Sequence, residues 1–238
     1  MIMIQESDYL SLSRTERRRE DTRSEIRERA WALLASEGRE GLSLRRIATE
    51  MGLSSPALYR YVPDRASLVA ELGDEALASF GAAQRAALLP DGSGRGPFAR
   101  LCAAWRSWAL ERPEAFALAF LEARPRAPVA AGSAAAAEAA LHPLLAVLEG
   151  ARAAGRLRLP LEPGPPPSLQ AGLAAWSGRL RGMDGELLCA GLALSARLVG
   201  LIAAELLGRL PAELADPGEL YAHEAARAAA EYLESDED

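Results

Sequence analysis

Lysine is absent from this chain of 238 residues; all 27 basic side chains are Arg. Together with the abundance of Ala, that reads as the codon bias of a GC-rich genome. The absence also has a chemical consequence, because a nucleophile–base pair would have to draw on one of only two His residues. No phosphate-cradling loop, no GxSxG elbow, no HExxH pair and no glycine-rich dinucleotide turn occurs. The chain is not expected to be an enzyme, and no cofactor is implied. Metal ligands are equally scarce, since two His, two Cys and no carboxylates at ligand spacing leave no metal site. Cys102 and Cys189 both fall inside apolar helical patterns, as buried, reduced thiols of a cytoplasmic protein would. No charged start followed by an apolar run and a cleavage site occurs, so no signal peptide is expected. The most apolar stretch, Glu186 to Leu210, is interrupted by Arg197 and Glu205, and is expected to be a core helix with no membrane partner. Alternating polar and apolar residues, the mark of a strand, are missing too, as is any internal repeat.

What is present is helix, and one segment is specific. Between Leu42 and Val62 the sequence reads as two short helices separated by a tight turn. Ser43 can cap the first, and Leu44, Ile47, Ala48 and Met51 mark one apolar face. Gly52 stands where a left-handed residue costs nothing. Ser54 or Ser55 can cap the second helix, with Pro56 in its first turn. Leu58 and Val62 face inward, which leaves Ser55, Ala57, Tyr59, Arg60 and Tyr61 outward or sideways. A short helix with a small-residue tip and Arg and Tyr on its flanks suits a DNA major groove.

Charge is distributed to match. The net charge is −6, yet residues 14–65 hold 12 Arg against nine acidic residues, and residues 66–238 carry a net −7. Residues 1–20 are polar, end in Arg17-Arg18-Arg19-Glu20, and read either as a solvated tail or as an arm touching DNA phosphates. The capping box Thr22-x-x-Glu25 predicts a first helix from Thr22, with Ile26, Ala30, Leu33 and Leu34 inward and Gly38 at its end. Asp64 is expected to cap a helix over 65–89. Further helices are expected over 98–111, 113–123, 129–154, 168–178, 184–208 and 217–233, divided by segments rich in Pro and Gly. The fold class is all-α, an amino-terminal three-helix head on a larger helical-bundle body. Its parts are a flexible arm (1–20), a helix-turn-helix domain (21–66) and an effector-binding and dimerisation domain (67–234).

The run from Gly41 to Ala48, the turn Met51-Gly52-Leu53-Ser54 and the segment from Leu58 to Leu68 resemble the amino-terminal domain of TetR-type (tetracycline-repressor-like) transcriptional regulators. The likeness covers about residues 22–69. Three positions depart from the usual pattern: Val62 replaces an aromatic, Arg65 a Lys, and Ala57 a Gly or Thr. The resemblance implies an all-helical homodimer that binds a palindromic operator in duplex DNA and responds to a small effector. Carried over by position, Ser43, Tyr59, Tyr61 and Arg65 would hold phosphates, while Ser54, Ser55, Pro56, Ala57 and Arg60 would lie closest to bases. Arg45 and Arg46 join them by proximity. In the body, only Leu198 to Gly208 is similar to the dimerising helix of many members, and the dimer is expected to form through 184–234.

Candidate pocket residues are Cys102, Trp105, Arg106, Trp108, Phe116, Phe120, His142, Trp176 and Met183. Large rings separated by Ala leave room for a hydrophobic or aromatic effector, and Arg106 could meet a carboxylate on it. The competing reading is that aromatics at helical spacing are core, with Arg106 in solvent and His142 capping or packing. The rival for the whole chain is a helical protein-interaction module that no longer binds DNA.

Overall fold

In the computed structural model, residues 13–122, 131–159, 166–180 and 182–234 are described. Among them are ten α-helices: α1 (Arg14–Glu37), α2 (Leu44–Glu50), α3 (Ser55–Tyr59), α4 (Arg65–Leu88), α5 (Pro97–Glu111), α6 (Pro113–Phe116), α7 (Ala131–Ala153), α8 (Pro167–Arg179), α9 (Gly185–Leu206) and α10 (Pro217–Tyr232). No strand occurs among the described residues, only an isolated bridge between Leu157 and Leu233. The chain divides into two compact units, Met1–Ser79 with Arg112–Ser133, and Phe80–Glu111 with Ala134–Asp238. The division falls inside α4.

In the first unit, α1 begins eight residues earlier than its sequence suggests. Ser13 is the cap, its hydroxyl accepting from Glu16 N–H while the Glu16 carboxylate accepts from Ser13 N–H. Thr22 lies inside the helix and donates to Arg18 O at 2.9 Å. Residues 14–20 are therefore helix and not arm; residues 1–12 lie outside the described part. Ile26, Ala30, Leu33 and Leu34 are buried against Leu44, Ile47, Leu58, Val62, Leu68 and Leu72. Leu118 joins this core, so the segment after α5 contributes to the head. There α6 passes into a π-helical turn over Ala117–Leu121, with Glu122 N–H bonded to Ala117 O. Arg39 meets Glu122 at 2.9 Å.

In the second unit, Arg100 on α5 donates to Ala87 O (3.0 Å) and Leu88 O (3.3 Å), satisfying the last carbonyls of α4. Phe80 packs against Trp105 and Trp108, with ring centroids 5.1 Å apart in both pairs. Tyr221 on α10 donates to Cys102 O at 2.9 Å. On α9, Arg197 binds Glu224 and Glu231 of α10. By length and composition alone, residues 134–153 and Gly185–Leu206 could cross a membrane, despite the interruptions in the latter. Seven residues of α9 are nonetheless buried in the unit, and its mid-helix Arg197 is neutralised by carboxylates from α10.

Candidate nucleic-acid interface

The geometry of the head follows from its caps. Ser43 Oγ accepts from Arg46 N–H and opens α2. At the other end of α2, Leu53 N–H bonds Ala48 O (2.8 Å) and Gly52 N–H bonds Thr49 O (3.1 Å), the paired bonds of a Schellman turn. That turn requires the left-handed residue at Gly52, whose φ is +66°. Ser54 Oγ then accepts from Ala57 N–H and opens α3. Leu58 and Val62 are buried completely or nearly so, and this locks the rotation of α3 and fixes which side chains face out. Pro56 and Arg60 are exposed, Ser55 and Ala57 half-buried, and Tyr59 is 50% exposed. Tyr61 packs against the head core. Asp64 Oδ1 accepts from Ser67 N–H at 2.7 Å and opens α4; this bond holds the carboxyl below its ordinary pKa.

The basic side chains separate into two kinds. Arg45 and Arg60 are exposed and have no side-chain partner among the described residues. Arg46 is held between Glu37 and Glu50, whose carboxylates, Glu37 foremost, raise its pKa further. Arg65, expected at a phosphate, spends two donors inside the head: Nε on Leu42 O (3.0 Å) and Nη2 on Arg39 O (2.6 Å). Its planar fork ties the start of α4 to the entry of α2. Glu50 stands four residues after Arg46 on the same helix and is legible in the sequence; Glu37 and the carbonyl partners of Arg65 left no such signal, because they depend on how the chain returns on itself.

Family models match the same stretches of the chain. Residues 26–72 match the model of bacterial regulatory proteins of the tetR family, and residues 98–228 match the tetracyclin repressor-like C-terminal domain. The chain belongs to the TetR family of transcriptional regulators. Regulatory protein SCO4313 is similar in structure, at 28% identity and a TM-score of 0.68, over 90% of this chain and 98% of that one. A tetR-family regulatory protein from Rhodococcus RHA1 shares the fold at 19% identity and a TM-score of 0.58, over 90% and 98% of the two chains. A TetR variant from Acinetobacter baumannii AYE, in complex with minocycline, shares it at 16% identity and a TM-score of 0.50, over 86% and 92%. Among curated proteins none matches. DNA binding and response to a ligand are general to the TetR family.

The nine residues expected to line a pocket divide between the two units. Phe116 and Phe120 pack on each other in the first unit, centroids 5.2 Å apart. Trp105, Trp108 and Cys102 are buried in the core of the second, where burial pushes the Cys102 thiol up to about 12. Arg106 is half-buried and bonded through both Nε and Nη2 to the Glu205 carboxylate, at 2.8 and 2.6 Å, so its charge already has a partner. Trp176 and Met183 pack with Leu145, Leu173 and Leu188, and Trp176 Nε1 donates to Glu138. His142 is exposed. A cleft of about 760 Å³ lies elsewhere in the second unit, lined by Phe98, Val147, Gly150, Ala151, Ala226, Ala230 and Leu233 among others. It involves α5, α7 and α10, but none of the nine side chains. Small residues form much of its lining, and these were read in the sequence only as composition.

Proposed function

We propose that this TetR-family chain is a repressor that binds a palindromic operator as a homodimer and is released by a small apolar effector. The observation that carries the reading is α3: Leu58 and Val62 anchor it while Ser55, Ala57, Tyr59 and Arg60 stay accessible. Arg45 and Arg60 are unpaired among the described residues. A groove of base edges and phosphates would supply the partners these groups lack. Support for a two-fold partner comes from α9, which has a mean hydropathy of 2.0 yet leaves Leu192 44% exposed, with Leu207 beyond its end 48% exposed. A helix apolar on both faces calls for a second cover, here the same surface of a second copy acting through 184–234. Gly200 leaves open space on α9 for close approach, whereas Gly191 is filled from within, a Cβ there meeting Leu145 at 2.5 Å. For the effector, the cleft volume suits a drug-sized molecule, and its lining, Arg156 and Glu234 apart, suits an apolar one. Proteins of this fold hold minocycline (the TetR variant from Acinetobacter baumannii AYE) and imidazole (EbrR). A DNA-binding regulator of this kind works in the cytoplasm.

The test is a mobility shift on the duplex upstream of the gene, with Arg45→Ala/Arg60→Ala as the comparison and sedimentation of both proteins. Wild-type binding as a species of about twice 25.3 kDa, weakened in the double variant at every salt concentration, supports the reading. A protein that shifts no duplex, or a double variant that binds as tightly as wild type, overturns it.

A further inference from the structure

The start of α1 is a surface that the helix-turn-helix does not use. From Arg14 to Glu25 no residue is buried, and the core packing begins at Ile26. About 18 Å of helix, at 1.5 Å per residue, thus precedes the packed part. This segment carries Arg14, Arg17, Arg18 and Arg19, none of which has a side-chain partner among the described residues. The nearby acids are engaged: Glu16 closes the capping box, Glu20 pairs with Arg27 at 3.1 Å, and Asp21 has an interaction of its own. Four cations in the first two turns also oppose the positive end of the helix dipole, so they weaken the helix that carries them. Glu16, in the first turn, offsets this only in part.

We propose that the first two turns of α1 are a second DNA-contacting element, in which Arg14, Arg17, Arg18 and Arg19 hold backbone phosphates outside the bases met by α3. This rests on the DNA-binding reading of the head. Arg14, Arg17 and Arg18 recur at i, i+3 and i+4 and share one face, as contact along a phosphate ridge requires. Guanidinium groups bind phosphate bidentately. The site belongs to the same compact unit as α2 and α3, and over residues 14–21 its four Arg outnumber the three acids on a chain of net charge −6. These interactions carry no base preference, because phosphates carry none.

The experiment uses the full chain and a duplex recovered by selection from a random-sequence library, in versions with long and trimmed flanks. Arg14, Arg17, Arg18 and Arg19 are replaced together by Gln, and in a second variant by Lys. On the long duplex the Gln variant is expected to show a log K against log salt slope shallower by about 0.9 for each phosphate it no longer neutralises, with an unchanged preference over random duplex. Trimming the flanks weakens wild type and leaves the Gln variant indifferent. The Lys variant keeps the wild-type slope. The thermal midpoint of the Gln variant is unchanged or raised, since positive charges leave a helix N-terminus. If wild type binds and the Gln variant has the same slope and flank dependence, the inference fails while the DNA-binding reading stands. The same result with weakened binding to anionic phospholipid vesicles would assign the patch to a membrane surface instead. If wild type binds no duplex, both fail.

Discussion

At Arg65 the distinction between touching DNA and building the site becomes testable. Its fork spans two carbonyls, Leu42 O and Arg39 O, a task that a single ammonium performs poorly. Arg65→Lys keeps the charge that a phosphate would feel but removes the fork. The expected outcome is a lower thermal midpoint and weaker operator binding in Arg65→Lys and Arg65→Ala alike. Full retention by Lys would return Arg65 to a plain phosphate contact. Gln84 is a second case. It is fully buried, and its Nε2 donates to Ala140 O at 2.7 Å, while its Oε1 is left without a partner. Gln84→Leu removes this donor and the unpartnered Oε1 together, and is expected to cost about 1 kcal/mol. Unchanged stability in chemical denaturation would show that the bond to Ala140 O contributes nothing net.

The elements show why local signals succeed and where they compete. Two capping boxes precede the packed part of α1, Ser13-x-x-Glu16 and Thr22-x-x-Glu25, and local chemistry ranks them alike. The helix starts at the first, and Thr22 becomes an interior residue bonded to Arg18 O. On α9 the choice was unambiguous. Asp184 accepts from Glu186 N–H (2.8 Å) and Leu187 N–H (3.1 Å), and these bonds, Leu187 foremost, hold its carboxyl below the ordinary value. Asp184→Ala is expected to destabilise by about 1 kcal/mol. Because the folded pKa lies below that of the unfolded chain, the cap contributes fully at neutral pH. It is lost as pH falls through the ordinary aspartate range and on through the folded-state value. Wild type and Asp184→Ala should therefore converge in thermal midpoint toward acid pH, and a constant gap down to strongly acid pH would remove the carboxylate from the explanation.

At the scale of the whole molecule, two surfaces of the second unit carry separate predictions. Leu192→Asp on the open face of α9 is expected to shift the sedimenting species toward 25.3 kDa with helix content unchanged, and to lower operator affinity because the heads no longer act as a pair. A variant that remains dimeric would place the interface elsewhere. Ala151→Trp introduces a large ring at the wall of the cleft, and is expected to leave DNA binding intact while abolishing release by an apolar effector. No Trp lines the cleft, so an effector seated there leaves native Trp fluorescence little changed. Strong quenching would move the ligand to the Phe80–Trp105–Trp108 cluster instead.

What the sequence determined by itself is what local chemistry controls. The caps at Ser43 and Ser54, the left-handed Gly52, the inward pair Leu58 and Val62 and the stop at Gly38 each act within a few residues, and together they made the head and its family resemblance legible. The apolar residues of 184–208 likewise announced a core helix. Beyond the i, i+4 pair of Arg46 with Glu50, tertiary structure decided which charges stay free. Arg46 is paired with Glu37 and Glu50, Arg65 is bound to two carbonyls and Arg106 is clamped by Glu205, whereas Arg45, Arg60 and the four Arg at the start of α1 remain available among the described residues. It also dispersed the aromatic residues, sending Phe116 to the head side of the division and Trp105 to the core of the body. Ion pairing and ring packing join residues far apart in the chain, Arg106 and Glu205 among them, and helical periodicity records which face a side chain occupies but not what meets it there.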